Sequence, residues 1–273
     1  MGHAGAAGDL QPVVQPRRRH DLRAGHQVPV LVLNPSQSAD REAWLALLAI
    51  AGQGLIYLTS LRLAHWLGVD GFDDYAVASA VFMLLAGIAC LGSEKYALRV
   101  LPVWLERGDW ARIGGYIRFG LKRGLTGAVL LCGGVALVAF ALGDALQPAT
   151  RRTIIVAALA LPLAAAVHFG LELLTALGRE FSASAIFRLI VPAVALGGVL
   201  LLGAVQAAPS GLLAVLCWGP AWLVALTLQV AVARRALPPA VRQAVPRVEA
   251  KAWRAESRPF LYYRLALGLL SQS

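Results

Sequence analysis

Six stretches of the chain are almost purely apolar, and short polar or charged patches separate them. They run over Ala43–Leu67, Tyr75–Leu91, Leu121–Leu142, Thr153–Leu177, Phe181–Ala204 and Leu212–Ala233. Most come close to the roughly 20 residues that a helix needs to cross about 30 Å of hydrocarbon. The second is the shortest, and crosses only with bilayer thinning or by extension into its polar flanks. Nothing alternates with period two at barrel spacing, so spanning strands are not expected. Helices satisfy their own backbone hydrogen bonds, which makes six crossings physically allowed. The pattern therefore predicts an all-α polytopic membrane protein, a bundle of six transmembrane helices over residues 41–235. A seventh apolar run, PFLYYRLALGLLSQS, begins at Pro259 after a polar linker over 236–258, and reads as the start of a truncated seventh helix.

Composition agrees with lipid as the solvent. Hydrophobic residues make up 58% of the chain and charged residues only 15%, against roughly 25% charged in a soluble domain. Mean hydropathy is +0.66. The formal net charge of +10 suggests nucleic acid in a soluble protein. Here the bases sit at the edges of apolar runs and no basic patch is interleaved with aromatics, so no nucleic-acid partner is expected. The three cysteines, Cys90, Cys132 and Cys217, are far apart and lie in or beside apolar runs. They read as small hydrophobes, with no metal or cofactor site expected.

Charge also predicts orientation. Residues 1–40 read as a disordered basic tail; the segment before the first run carries five Arg. Lys95, Arg99, Arg107, Arg112, Arg118, Lys122 and Arg123 fall between runs two and three, and a further basic series follows run six from Arg234 onward. On the other side, GVDGFDDY holds three Asp and no base, while Arg151 and Arg152 oppose the trend. The positive-inside rule then places the N-terminus and the segment after run six in the cytoplasm, on an inner membrane. Glu94-Lys95 is expected to mark the point where the second span leaves the bilayer. Beyond it, Trp104 and Trp110 at head-group depth and arginines toward phosphates predict an interfacial connector.

The stretch LGVDGFDDYAVASAVFMLLAGIACLGSEKYALRVLPVWLERGDW resembles the first hairpin of bacterial polysaccharide and O-antigen flippases, of the multidrug/oligosaccharidyl-lipid/polysaccharide superfamily. The matching residues are Gly68, Gly71, Tyr75, Glu94-Lys95, Arg99 and Arg107-Gly108-Asp109-Trp110. LLTALGREFSASAIFRLIVPAVALGGVLLL is similar to the fourth-to-fifth helix hairpin of the same family. The resemblance covers about residues 43–273 and departs from the family in length: family members carry about 12 to 14 helices in two lobes, and this chain offers one lobe. It implies transport of a lipid-linked oligosaccharide by alternating access. The implied partners are that lipid, membrane lipids, and a C-terminal lobe or second copy. A multidrug or small-cation exporter of the same superfamily, or a membrane scaffold without transport, are the other readings.

No catalytic constellation is visible. There is no Gly-x-Ser-x-Gly, HExxH, phosphate-binding loop or paired carboxylates at helical spacing, so no enzyme is expected. Ionisable residues inside spans are costly unless paired or facing water, and each is a candidate substrate contact. Arg62 lies about 10 Å outward of the middle of span one; it contacts a lipid diphosphate or snorkels to outer head groups and the nearby Asp residues. Glu94, Lys95 and Arg99 sit at the inner end of span two. Lys95 and Arg99, four apart, repel unless an anion lies between them, and they capture a diphosphate or meet ordinary head groups. Glu172 and Arg188 are equidistant from Glu180, about 12 Å from the turn between spans four and five. They are expected to face each other, as a structural ion pair or a cavity-lining one. His168 shares the Glu172 face and is a proton relay or a packing residue. Pro162, Pro192 and Pro220, each near mid-span, predict kinks.

Overall fold

A computed structural model of the chain describes residues 35–205 and 208–270. It divides into two units, 1–41 and 42–273. Most of the basic tail expected over 1–40 lies outside the described residues. Among these, eleven helical elements account for nearly all of the described residues: α1 (Pro35–Ala89), which is two helices joined at a kink where Gly68 leaves the helical conformation (φ +69°), α2 (Ser93–Arg107), α3 (Trp110–Ala141), α4 (Pro148–Leu159), α5 (Leu161–Ala176), α6 (Glu180–Ala185), α7 (Val191–Ala204), α8 (Gly211–Leu216), α9 (Trp218–Ala236), α10 (Pro239–Gln243) and α11 (Ala250–Leu270). The chain is an all-α polytopic membrane protein.

Five helical segments are long and apolar enough to cross a membrane: Asp40–Val69, Gly71–Arg107, Trp110–Ala141, Glu180–Ala204 and Gly211–Ala236. The pair α4 and α5, bent by 42°, makes a sixth when the two count as one broken span. Apolar side chains such as Ile50, Leu61, Leu130, Leu137, Phe140 and Leu201 remain exposed along these segments. In water such patches would mark an interface or an aggregation hazard; around a bundle of this length they are the lipid-facing surface.

Helix α5 is the central post. It packs against α2, α3 and α9, and Leu161, Ala164, Ala165, Val167 and Leu174 have no exposed surface. Its small side chains let neighbouring helices approach closely, which is how helices associate when lipid supplies no hydrophobic drive between them.

The three mid-span prolines each sit just beyond a local defect. A proline lacks the N–H that would bond the carbonyl four residues back, and its ring crowds that carbonyl. Pro162 follows the α4–α5 bend, Pro192 follows a π-helical segment at Ile186–Ile190, and Pro220 follows the α8–α9 break at Cys217. The carbonyl displaced by Pro192 is that of Arg188. Span one meets it with a glycine: a Cβ added to Gly52 would stand 2.2 Å from the Arg188 oxygen. Only a residue without a side chain lets the two backbones come this close.

Several expectations are corrected at the basic end of the bundle. The stretch beyond Glu94-Lys95, read from sequence as a connector, is helical. It belongs to the helices α2 and α3, and the turn between them is Gly108 and Asp109, whose carboxylate accepts from the Arg112 N–H to cap α3. Glu94 is 1% exposed and Trp104 is 8% exposed, so neither faces head groups. Helix α2 turns these residues inward because it packs beneath α3, α5 and α11. Nor is 236–258 wholly a linker, since α11 starts at Ala250 and carries Pro259 within it. What holds α11 is Trp253, 2% exposed, with ring centroids 5.2 Å from Tyr116, 5.3 Å from Phe119 and 5.8 Å from Trp104.

Helix α11 crosses the α1–α2 break directly. Gly92 has φ +77°, and a Cβ there would meet Ser257 O and Leu261 N at 2.6 Å. Replacing Gly92 with Val is expected to cost about 2–4 kcal/mol, from the left-handed backbone and the clash together. Thermal unfolding in detergent should drop by about 5 °C or more. Gly54→Ala, where the added methyl meets nothing within 4 Å, should not lower it.

Candidate functional site

Two features of the bundle have the chemistry of a site. The first is a cavity of about 220 Å³ between spans one, two, five and six. One wall is aromatic: Tyr75, Phe187, Trp218 and Trp222 line it. These rings are joined into a chain, Tyr75 to Trp218 at 5.6 Å, Trp218 to Phe82 at 4.8 Å, Phe82 to Trp222 at 5.8 Å and Trp222 to Phe187 at 6.1 Å. The other wall brings the hydroxyls of Thr59, Ser60 and Ser79. Thr59 Oγ1 donates to the Leu55 carbonyl at 2.7 Å and Ser60 Oγ to the Ile56 carbonyl at 3.0 Å. Each hydroxyl proton is thereby spent on its own helix, and each oxygen keeps lone pairs that can accept. No charged side chain lines the cavity among the described residues.

Local sequence explains how each helix presents this face. Trp218 and Trp222 are one turn apart on α9, Tyr75, Ser79 and Met83 follow the same spacing on the second half of α1, and Phe187, Val191 and Ala195 repeat it across the π segment and α7. Pro192 also lines the cavity, so the helical defect it causes lies where the spans part.

The second feature is an ion pair at the basic end. Lys95 Nζ lies 2.5 Å from Glu172 Oε1, joining α2 to α5. The two side chains are 28% and 12% exposed, so the pair is partly withdrawn from solvent and screened less than a surface pair. One turn along α2, Arg99 is exposed. Lys95, Arg99, Phe260 and Tyr263 surround an open pocket of about 610 Å³.

The seven candidate residues are thus divided among different places. Lys95, Glu172 and Arg99 come together. The expected facing of Glu172 and Arg188 is corrected: Glu172 turns to Lys95, and the Arg188 side chain is exposed. Depth along a hairpin alone gave no account of the π segment at Ile186–Ile190, whose wider turn shifts the facing of Arg188. The carboxylate of Glu172 is also the anion that relieves Lys95 beside Arg99. His168, one turn before Glu172, stacks at 5.2 Å from Phe187 and 5.9 Å from Trp222 and so backs the aromatic wall. Glu94 is buried on α2, within electrostatic reach of Tyr116 and Arg123 on α3. Arg62 lies at the opposite end of the bundle, its guanidinium against Gly203 at the end of α7.

The aromatic and hydroxyl walls were not singled out from sequence. Their helical spacing was readable, but four apolar faces at helical spacing look like four packing faces until the helices are placed.

Replacing Lys95 or Glu172 alone by Ala leaves the other charge half-buried, and should destabilise the protein in detergent by about 1–3 kcal/mol. The double variant K95A/E172A should recover most of that loss. A coupling of about zero in the resulting cycle, read by thermal unfolding, would mean the pair contributes nothing.

No family model, no curated protein and no solved structure matches the chain.

Proposed function

We propose that the chain is one lobe of a flippase that carries a lipid-linked oligosaccharide across a bacterial inner membrane by alternating access. The observation that carries this reading is the uncharged cavity with an aromatic wall and a hydroxyl wall. The C–H face of a sugar ring is weakly positive and packs on the negative face of an aromatic ring. Its hydroxyls need partners, and the oxygens of Thr59 and Ser60 can accept from them, with Ser79 beside them. The basic end supports the same reading. Arg99 beside the Lys95–Glu172 pair gives a diphosphate an attractive, water-accessible entry, while the polyprenyl tail stays in lipid. With the basic end on the cytoplasmic side, as the positive-inside rule places it, the substrate enters where it is synthesised. The bend at α4–α5 and the breaks beside Pro192 and Pro220 provide places where helices can pivot. The resemblance of the first hairpin to polysaccharide flippases points the same way.

An exporter of cations is less well supported. It requires acidic residues in the cavity to offset the cost of desolvating a cation, and none lines it among the described residues.

Titrating the purified chain in detergent with a short-chain prenyl-diphosphate disaccharide tests the proposal. Binding should quench tryptophan fluorescence, and Trp222→Ala should weaken affinity about tenfold, as loss of one stacking aromatic predicts. Saturable binding of a lipophilic cationic dye at the same cavity, with no binding of the saccharide lipid, would overturn it.

A further inference from the structure

A third pocket lies away from the cavity and the ion pair. It has a volume of about 640 Å³ and is formed by one face of α3, the residue Leu91 at the α1–α2 break, and the start of α11. Its lining includes Arg118, Lys122, Arg123 and Arg254, and no carboxylate. Four cations gathered around one concavity repel one another, and an anion among them relieves that repulsion; buried Glu94 lies within electrostatic reach of Arg123 but does not line the pocket. Arg258 adds a fifth positive charge within electrostatic reach of Arg123.

The pocket is held in shape by Arg123. Its Nη1 donates to Ser257 Oγ at 2.8 Å and its Nη2 to the Leu91 carbonyl at 3.3 Å, while the guanidinium carbon lies 5.8 Å over the Phe119 ring. One side chain thereby ties α3, the α1–α2 break and α11 together. Arg118, Lys122 and Arg254 are exposed around it.

The floor of the pocket identifies the kind of anion. Below the cations, the same face of α3 continues through Thr126 and Gly127 to Leu130, which lines the pocket and is 71% exposed. Leu137, about two turns further along the helix, is 72% exposed. A free phosphate has no use for such a surface. A phospholipid does, because its acyl chains lie along the apolar helix while its phosphate meets the bases. One phosphate diester would leave most of the positive charge unmatched, whereas a head group with two phosphates answers it better.

We propose that this pocket binds an anionic glycerophospholipid bearing two phosphates, of the cardiolipin class, as a fixed lipid that bridges α3 and α11. The site is independent of the transported substrate. Basic pockets between membrane helices on the cytoplasmic side are suited to such head groups.

The test uses the full chain, delipidated in detergent. Tetraoleoyl cardiolipin should raise the thermal unfolding temperature by several degrees, as a ligand of the folded state must. R118Q/R254Q should weaken the apparent affinity tenfold or more, at about tenfold or less per base removed. R234Q/R235Q, which removes the same charge at the end of α9, should change it less than twofold. A photoreactive cardiolipin should label peptides within 118–130 and 248–254 in the unsubstituted protein, a readout that stands even if the double variant fails to fold. Equal weakening by both pairs, labelling elsewhere, or full competition by inorganic pyrophosphate would each overturn the proposal. Preferential displacement by a prenyl diphosphate would assign the pocket to the transport substrate and overturn it as a fixed lipid site, leaving the transport reading intact.

Discussion

Inside hydrocarbon there is no water to bond an open carbonyl, and each unanswered one costs several kcal/mol. A proline at mid-span creates that condition by removing an N–H. Pro162, Pro192 and Pro220 do so at Ala158, Arg188 and Leu216, and the backbone responds with a bend, a π turn and a break. At Arg188 a neighbour answers as well: Gly52 of span one lies against the freed oxygen, close enough for its Cα–H groups to offer a weak hydrogen bond. The defect and its cover fix how span one sits on span five. Just beyond it, on the side of Pro192 and Ala195, the two spans part, and the aromatic cavity occupies the gap.

Charge is distributed so that the cavity needs none. Glu172 is the acid nearest to it along α5, and Lys95 already neutralises that carboxylate. Leaving either charge alone at this depth would be costly, whereas the pair is tolerable with part of each side chain still wet. Arg99, Arg118, Lys122, Arg254 and Arg258 collect at the same end of the bundle, on exposed faces of α2, α3 and α11, while Arg62 lies at the opposite end. An uncharged interior with a cationic rim distinguishes ligands by where their charge lies. A molecule with its charge at one end and neutral polarity at the other fits both regions; a compact cation fits neither.

The fold class and the crossings were legible because hydrocarbon imposes length and apolarity on every span. The seams between helices were not. Residues 93–120 carry enough arginine to look like a connector, yet Ala97, Leu101 and Trp104 recur at helical spacing and are buried. The stretch 250–260 hid its helix in the same way: Trp253, Ser257 and Phe260 form a stripe at i, i+4 and i+7, obscured by Lys251, Arg254, Glu256 and Arg258. A hydropathy reading averages such stripes away; a periodicity reading keeps them. At the candidate site, Lys95 and Glu172 were both recognisable as intramembrane charges, but their pairing depends on α2 lying beside α5, which no spacing in the chain encodes. Assigning Glu172 to Arg188 assumed that two adjacent spans are ideal helices, and Pro192 makes one of them otherwise.

Helix α5 relates the two candidate features to each other. Glu172 and His168 are one turn apart, about 6 Å along the axis. The first holds Lys95 at the basic end, and the second lies against Phe187 and Trp222, which wall the cavity. Because Leu161, Ala164, Ala165 and Leu174 are fully enclosed, α5 is also the helix least able to move alone. On the transport reading, an opening of the cavity that left α5 in place would move the spans around it, with the defects at Pro192 and at the α4–α5 bend as pivots. In that motion the ion pair would stay with the post, and the Gly52–Arg188 contact would either travel as a unit or be broken.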